Sequence, residues 1–345
     1  MGSITTILVA MEDVVLRITE EGGRFKSLEE RLTSTSPQCL ANDSSNESIV
    51  YCGTLENGLW KSEDVGSTWK KVDLGVESQS VTSLAVSNLE RPNGFGVVYV
   101  GMEPSMILKS KDGGSSWENK ESLTKLPSSK NWSFPPRPYT NHVRFIALDP
   151  DQAGKLYVAI EAGALVRSFD GGTTWSDRVV SGPYDTHTLA THKRAPGRLY
   201  SSAGDGYFES LDGGDNWKRN VDGLGVHQYL YGIAVDPNEP DTIIVSASSG
   251  PWRAHSQSDA ESVIYRRSVG EKEWTPLGSG LPEPEGTIVS ILAGGPSGGG
   301  EFYAANNKGI YRSNDSGLSW VRQSIPWKDS YLSQHAWSIC VIETS

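Results

Sequence analysis

Short apolar runs follow one another along the whole chain and are separated by segments rich in Gly, Asp and Ser. Leu156–Ile160, for example, is followed after three residues by Ala164–Ser168. Runs of about four to eight residues bounded by turn-forming residues are typical of β-strands. No long stretch has the apolar spacing of an amphipathic helix. The pattern therefore predicts an all-β chain of many short strands joined by tight turns.

A Ser-x-Asp-x-Gly-x-x-Trp motif recurs at the end of such strand pairs. Its aspartate can accept backbone N–H bonds, its glycine can adopt a positive φ, and its tryptophan can cover the turn from the next strand. Weaker copies occur at Thr19–Gly23 and Ser268–Trp274. The motif predicts a hairpin turn that is repeated through the chain. The five full copies are Ser62–Trp69, Ser110–Trp117, Ser168–Trp175, Ser210–Trp217 and Ser313–Trp320.

The repeat resembles the Asp-box (BNR) repeat of sialidases, xyloglucan-hydrolysing glycosidases, Vps10-type sorting receptors and a photosystem II assembly factor. The resemblance implies a single domain over 1–345, a seven-bladed β-propeller of four-stranded antiparallel blades. It also implies that the motif aspartates are structural, on the turn between the third and fourth strands of a blade and away from the active site. These relatives include hydrolases, receptors and assembly factors, so the repeat alone does not indicate an activity. The aspartates are Asp64, Asp112, Asp170, Asp212 and Asp315.

The repeat divides the chain into blades. Ile7–Met11, Val14–Thr19 and Phe25–Leu32 supply only three strands of blade one. We expect Trp337–Ile342, at the other end of the chain, to be its innermost strand, which would close the ring and remove two exposed sheet edges. Blades two to seven are expected at residues 38–72, 81–120, 142–180, 186–220, 229–277 and 287–323.

Composition narrows the classes of function. The chain of 345 residues has 37 Gly, 13 Tyr and 11 Trp, as expected for one large all-β domain. Its net charge of −11 argues against a nucleic-acid partner, because no basic stripe is present to neutralise phosphates. The first apolar run ends at Glu12, too soon for a signal peptide or a membrane span. We therefore expect a cytoplasmic monomer without membrane contact, in which the three cysteines are buried thiols.

Three segments are longer than a compact blade requires: 118–141, 249–262 and 324–336. They are rich in Trp, Tyr, Pro and His, and we expect them on the face opposite the motif turns, which we call the funnel face. Aligning the innermost strands places a ring of polar and aromatic residues at this face. Such loops on a rigid scaffold favour a binding site for a small molecule or glycan. The ring contains His142, Arg144, Asp185, His187, Tyr229, Tyr231, His335 and Trp337.

One hypothesis uses this ring for glycoside hydrolysis. Arg137, Arg144 and Arg253 would converge on a substrate carboxylate, and their positive field suggests an acidic sugar. The ring and its loops also offer candidate catalytic residues and aromatic contacts for the substrate. This arrangement is similar to that of a sialidase, but the family's opening Arg-Ile-Pro-type motif is absent, so its arginine triad cannot be transferred. Glu161 or Asp185 would act as general acid/base, and Tyr184, Tyr229 or Tyr231 as nucleophile or donor. His187 would be a further catalytic residue, and Tyr231 and Trp337 would bind the substrate.

A second hypothesis uses the histidines as metal ligands. His142, His187 and His335, together with Glu161, would bind a divalent Zn, Mn, Fe or Cu ion across neighbouring blades for lyase or oxygenase chemistry. A third treats the propeller as a non-catalytic binding platform, which needs only an exposed patch. The clustering of His, Arg and acidic groups favours an enzyme, and we expect a carbohydrate-active one.

Overall fold

The computed structural model describes residues 4–296 and 298–344. Its 27 strands form seven antiparallel sheets, and the innermost strands of successive sheets contact one another around a closed ring. The seven-bladed all-β propeller predicted from the sequence is thus confirmed. Six blades are four-stranded, whereas blade four has three strands and a single bridge between Arg167 and Ser176 in place of the fourth.

The strands follow the predicted blade order. Blade one contains β1 (Ile4–Met11), β2 (Val15–Glu21) and β3 (Arg24–Arg31). Blade two contains β4 (Pro37–Asn42), β5 (Val50–Thr54), β6 (Gly58–Ser62) and β7 (Lys70–Val72). Blade three contains β8 (Ser80–Val86), β9 (Val98–Glu103), β10 (Met106–Ser110) and β11 (Glu118–Asn119). Blade four contains β12 (Val143–Leu148), β13 (Leu156–Ile160) and β14 (Ala164–Ser168).

The second half of the chain repeats this order. Blade five contains β15 (Thr186–Thr191), β16 (Leu199–Ala203), β17 (Gly206–Ser210) and β18 (Lys218–Arg219). Blade six contains β19 (Tyr229–Asp236), β20 (Glu239–Ser248), β21 (Val263–Arg267) and β22 (Thr275–Pro276). Blade seven contains β23 (Ile291–Gly294), β24 (Phe302–Asn306), β25 (Gly309–Ser313) and β26 (Val321–Arg322), and β27 (Ala336–Thr344) follows it.

Strand β27 closes the ring as predicted. It pairs antiparallel with β1 from Ile4 opposite Thr344 to Ala10 opposite Ser338, and it forms the inner edge of blade one. The inner strands on its two sides, β4 and β23, both contact it. Blade one therefore joins the two ends of the described chain through a backbone hydrogen-bond ladder.

The core lies between the blades, where each second strand is covered by sheets on both sides. All five residues of β13 are buried, which explains why its sequence is continuously apolar instead of alternating. A fully buried tyrosine occupies the same place in five second strands, and the residue opposite it on the third strand is usually basic. Lys109, for example, lies over the ring of Tyr99 at 5.1 Å. The five tyrosines are Tyr51, Tyr99, Tyr157, Tyr200 and Tyr303.

The five motif turns join the third strand to the fourth position of their blades and share one hydrogen-bond pattern. In the third copy, Asp170 accepts from the Thr174 N–H at 2.8 Å and from its hydroxyl at 2.7 Å. The Ser168 hydroxyl donates to Asp170 at 3.0 Å and accepts from the Gly172 N–H at 2.8 Å. Gly172 has a φ of +86°, which a side chain would strain.

The helical residues lie in the three long segments. Pro251–His255 forms the only α-helix among the described residues, α1, and 3₁₀ turns lie at Glu121–Lys125, Pro127–Asn131 and Asp329–Tyr331. None of these described helices has the length and apolar character needed to cross a membrane. Because antiparallel strands alternate in direction, the three segments emerge on the face opposite the motif turns.

Candidate functional site

A cavity of about 560 Å³ opens on the funnel face. A narrower cavity of about 220 Å³ continues from it between the inner strands, where it also contacts His187. The larger cavity takes its walls from two of the long segments and its floor from the inner strands. Its lining includes Glu103, Phe134, Pro135, Pro136, Arg137, His142, Arg144, Glu161, Asp185, Tyr229, Tyr231, Pro251, His255 and Trp337.

Glu161 and Asp185, which line this cavity, meet His187, which lines the adjoining smaller cavity. Glu161, Asp185 and His187 each place one nitrogen or oxygen atom within 4.8 Å of the others. Two hydrogen bonds from backbone N–H groups fix the position of Asp185. Its Oδ1 accepts from the Ala162 N–H at 2.9 Å, and its backbone carbonyl accepts from the Gly204 N–H at 2.8 Å. A Cβ on Gly204 would collide with Asp185 Oδ2, so a larger residue at this position would displace the carboxylate.

Glu161 is an ionised carboxylate at neutral pH. The His142 Nε2 donates to its Oε2 at 2.7 Å, and the Arg144 Nε lies 3.5 Å from the same oxygen. Burial alone would raise the pKa of Glu161, but the His142 hydrogen bond and the Arg144 charge outweigh it and lower the pKa to about 2. Glu161 is therefore a fixed negative charge and not a proton donor.

A hydrogen-bonded chain of two histidines ends at Tyr229. The His335 Nδ1 donates to the Ala336 carbonyl at 2.7 Å, so in the neutral ring Nε2 accepts from the His255 Nδ1 at 3.0 Å. The His255 Nε2 is then left to accept from the Tyr229 hydroxyl at 2.9 Å. Burial lowers the pKa of His255 to about 3 and that of His335 well below its usual range, so both rings are neutral. The chain fixes the direction of the Tyr229 hydroxyl proton.

The three predicted arginines do not converge on one position. Arg137 forms a double hydrogen bond with Glu103, from Nε at 3.1 Å and from a terminal nitrogen at 2.7 Å. Arg144 donates to the Tyr231 hydroxyl at 2.6 Å in addition to its contact with Glu161. Arg253 pairs with Glu261 and is not part of the cavity lining. Each arginine therefore already has a carboxylate partner.

The three predicted histidine ligands are also not brought together. His142 bonds to Glu161, His187 lies beside Asp185, and His335 bonds to His255. Among the described residues, only the cluster that contains His187 gathers three groups able to bind a metal. The His142 Nδ1 is buried without a hydrogen bond, 3.5 Å from Glu103 Oε2.

Of the remaining predicted residues, Trp337 lines the cavity and stacks on His335, with ring centroids 4.0 Å apart. Tyr184 does not line it; the Arg178 guanidinium lies over its ring instead, at 5.2 Å. Sequence reasoning missed the histidine chain and the role of Gly204. The concentration of histidines in the funnel-face segments was the one signal that could have indicated the chain.

Comparison with known proteins relates the chain to glycoside hydrolases at a distance. No protein-family model matches it. Xyloglucanase Xgh74A of Acetivibrio thermocellus is 24% identical over 254 residues, which are 68% of this chain and 24% of the relative. A xyloglucanase of Hypocrea jecorina is 22% identical over 74% of this chain and 27% of its own length. The chain thus spans about a quarter of the curated relatives it matches. It is a glycoside hydrolase-like propeller and a distant relative of these enzymes.

Solved structures show the same fold at low sequence identity. The GH74 xyloglucanase from Xanthomonas campestris superposes with a TM-score of 0.67 at 16% identity and covers 94% of this chain and 55% of its own. YCF48 bound to D1 peptide superposes with a TM-score of 0.60 at 16% identity, over 90% of this chain and 94% of that one. At such identity the likeness concerns the fold, which these proteins share.

Proposed function

We propose that the protein is a carbohydrate-active enzyme that hydrolyses a glycosidic bond in the funnel-face cavity. The carboxylate pair Glu161 and Asp185 at the cavity floor is the observation that carries this proposal. The distant relation to xyloglucanases supports the class of substrate. Glycoside hydrolysis passes through a positively charged sugar, which two nearby carboxylates can stabilise.

The two carboxylates would have different roles. Glu161 is ionised and held by His142 and Arg144, so it would stabilise positive charge on the sugar. Asp185 is 27% exposed and would be the general acid that protonates the leaving sugar oxygen and then the general base that activates the water. Their closest groups lie within 4.8 Å, nearer to the ~5 Å separation of retaining glycosidases than to the ~6.5–9.5 Å of inverting ones. We therefore expect retention of configuration at the sugar.

The lining charges favour a neutral sugar over the acidic sugar expected from the sequence. Arg137 and Arg144 are matched by three carboxylates, those of Glu103, Glu161 and Asp185. The cavity therefore lacks the excess positive charge that would attract an acidic ligand. Phe134, Tyr229 and Trp337 line the cavity and offer aromatic surface to uncharged sugar rings.

The test is hydrolysis of a panel of neutral β-glucans, including xyloglucan, and of uronic-acid and sialic-acid glycans. We expect activity on a neutral glucan that Asp185→Asn lowers by at least about a hundredfold. Asp215→Asn is the matched control, because Asp215 is exposed and pairs with Arg167 outside the cavity lining. Equal turnover by Asp185→Asn and the wild type would refute the assignment.

A second candidate is a non-catalytic binding platform. This chain covers 94% of the YCF48 chain bound to D1 peptide, whereas it covers about a quarter of the xyloglucanases. In this case a panel glycan or an extended peptide would bind in the cavity without turnover. Turnover that depends on Asp185 would exclude this candidate.

A further inference from the structure

We infer that His187, Asp185 and Glu161 bind one divalent transition-metal ion at the cavity floor. One nitrogen and two carboxylates converge within 4.8 Å, which brings three ligand atoms around a single position. The set differs from the three histidines expected from the sequence. It joins one imidazole with two carboxylates, a donor set that suits Zn, Mn or Fe.

The orientation of His187 is the strongest support. Its Nδ1 donates to the Leu230 carbonyl at 2.6 Å, so in the neutral ring the Nε2 lone pair faces the cluster. Metal-binding histidines are held in this way, by a hydrogen bond from the other ring nitrogen. His187 is 1% exposed, and its Nε2 lies 3.6 Å from Asp185 Oδ2, too far for a hydrogen bond. With the neutral ring, two acceptors face each other, and a cation between them would satisfy both.

The two carboxylates are positioned by groups outside the cluster. The Ala162 N–H holds Asp185 through Oδ1, which leaves Oδ2 facing His187. His142 and Arg144 both approach Glu161 on Oε2, and no described residue donates a hydrogen bond to Oε1. Each acid thus keeps one oxygen for a cation, and its orientation is set by the other.

Three protein ligands leave coordination positions that open into the cavity. A metal site with open positions is suited to binding water or a substrate oxygen. The inference goes beyond the proposed function, because an ion bound by Glu161 and Asp185 would occupy the two carboxylates that act on the sugar, so the metal-bound form should not hydrolyse it. Arg144 next to Glu161 already offsets part of the negative charge of the two carboxylates, which lowers the affinity of the site for a cation.

The experiment titrates untagged, full-length protein, stripped with a chelator, with Co²⁺ alone. Visible absorption reports the ligands, calorimetry the stoichiometry, and Zn²⁺ is added as a competitor. We expect one Co²⁺ per chain. His187→Ala and Asp185→Asn should each weaken binding by at least about tenfold. Circular dichroism verifies that both variants fold. If His187→Ala misfolds, Asp185→Asn still tests the site, because asparagine keeps the shape of the aspartate side chain.

His227→Ala is the matched control, since His227 also lies in a funnel-face loop but bonds to Tyr265 and is outside the cluster. Its affinity for Co²⁺ should equal that of the wild type. Wild-type protein that binds none of Co²⁺, Zn²⁺ or Mn²⁺ would overturn the inference, as would variants that bind as well as the wild type. Metal binding together with no glycan hydrolysis by the metal-free protein would refute the proposed function and leave the metal site standing.

Discussion

The two faces of the propeller use carboxylates in different ways. On the turn face, five aspartates occupy the same place in five copies of one motif, and each accepts from the same backbone and side-chain donors of its own turn. On the funnel face, Glu103, Glu161 and Asp185 come from different blades and bond to residues far along the chain. The carboxylates that repeat from blade to blade stabilise the fold, and those that do not repeat lie in the candidate site.

The difference extends to how the charges are compensated. A turn aspartate such as Asp212 is exposed, and the side chain of Asn216 followed by its N–H lowers the pKa of Asp212 to about 2. A funnel carboxylate is compensated by whole charges, as when Glu103 pairs with Arg137. We therefore expect mutations on the turn face to act on stability alone, whereas mutations on the funnel face should act on the site.

The largest expected effect would break this division. Arg144 is 15% exposed and connects Glu161 to the Tyr231 hydroxyl. Arg144→Met removes the charge and leaves Glu161 with less compensation, which should lower the free energy of unfolding by about 3–5 kcal/mol. Denaturant unfolding measures this loss. A loss below 1 kcal/mol, a value typical of exposed pairs, would mean that the pair is solvated like a surface ion pair.

The second-largest effect should come from a mutation in a motif turn, and this mutation should leave the site intact. Ser168 is fully buried, and Ser168→Ala would leave the Gly172 N–H without its partner. We expect a loss of about 1–3 kcal/mol in the free energy of unfolding, and the same loss for Ser210→Ala, which has the same bonds. Ligand binding or turnover should be unchanged in both variants. Unequal losses would show that the turns are not equivalent.

Gly204→Ala would separate site geometry from fold. The new methyl group would collide with Asp185 Oδ2, and its other nearest contacts are side-chain atoms of Asp185 and His187. The carboxylate should therefore move while the backbone of the blade keeps its position. We expect turnover, or affinity for Co²⁺, to fall by about tenfold, with less than about 1 kcal/mol lost in stability. Parallel activity and unfolding measurements compare the two. Loss of stability without loss of function would contradict the placement of Asp185.

The smallest effect should appear in acid. Hydrogen bonds hold the pKa of Asp64, Asp112, Asp170, Asp212 and Asp315 below the usual value. Each therefore contributes stability that is present above the unfolded pKa of about 4 and is lost as the pH falls through the lower folded pKa. The melting temperature should drop between about pH 4 and 2. Asp212→Asn should reduce the slope of melting temperature against pH in this range. An unchanged slope would contradict the pKa assignment.

The fold could be predicted because its signal is repeated. The motif turns set the period, and the apolar run Trp337–Ile342 left over at the end supplied the strand missing from blade one. The lining of the site could be predicted in part, because Arg144, Tyr229 and Tyr231 lie on inner strands whose faces follow from strand geometry, and His142 directly precedes one of these strands.

The pairings inside the site could not be predicted. Nothing in the local sequence of Arg137 indicates that Glu103, 34 residues earlier in the chain, would neutralise it. His255 and His335 are 80 residues apart, and their contact depends on how α1 packs against the chain before β27. In the sequence, Gly204 resembles any other glycine of a turn, and only the structure shows that the Asp185 carboxylate lies against it. These contacts join residues distant in the chain, so no periodicity reveals them.

The closing pair β1 and β27 has a consequence for the order of folding. During synthesis the ribosome releases β27 after every other strand of the described chain, so blade one lacks its inner strand until then. Until β27 arrives, the inner edge of β1 remains unpaired and open to wrong partners. Completion of the ring therefore requires contacts between residues at opposite ends of the described chain, such as Ile4 and Thr344. This makes the docking of β27 a candidate rate-limiting step in folding.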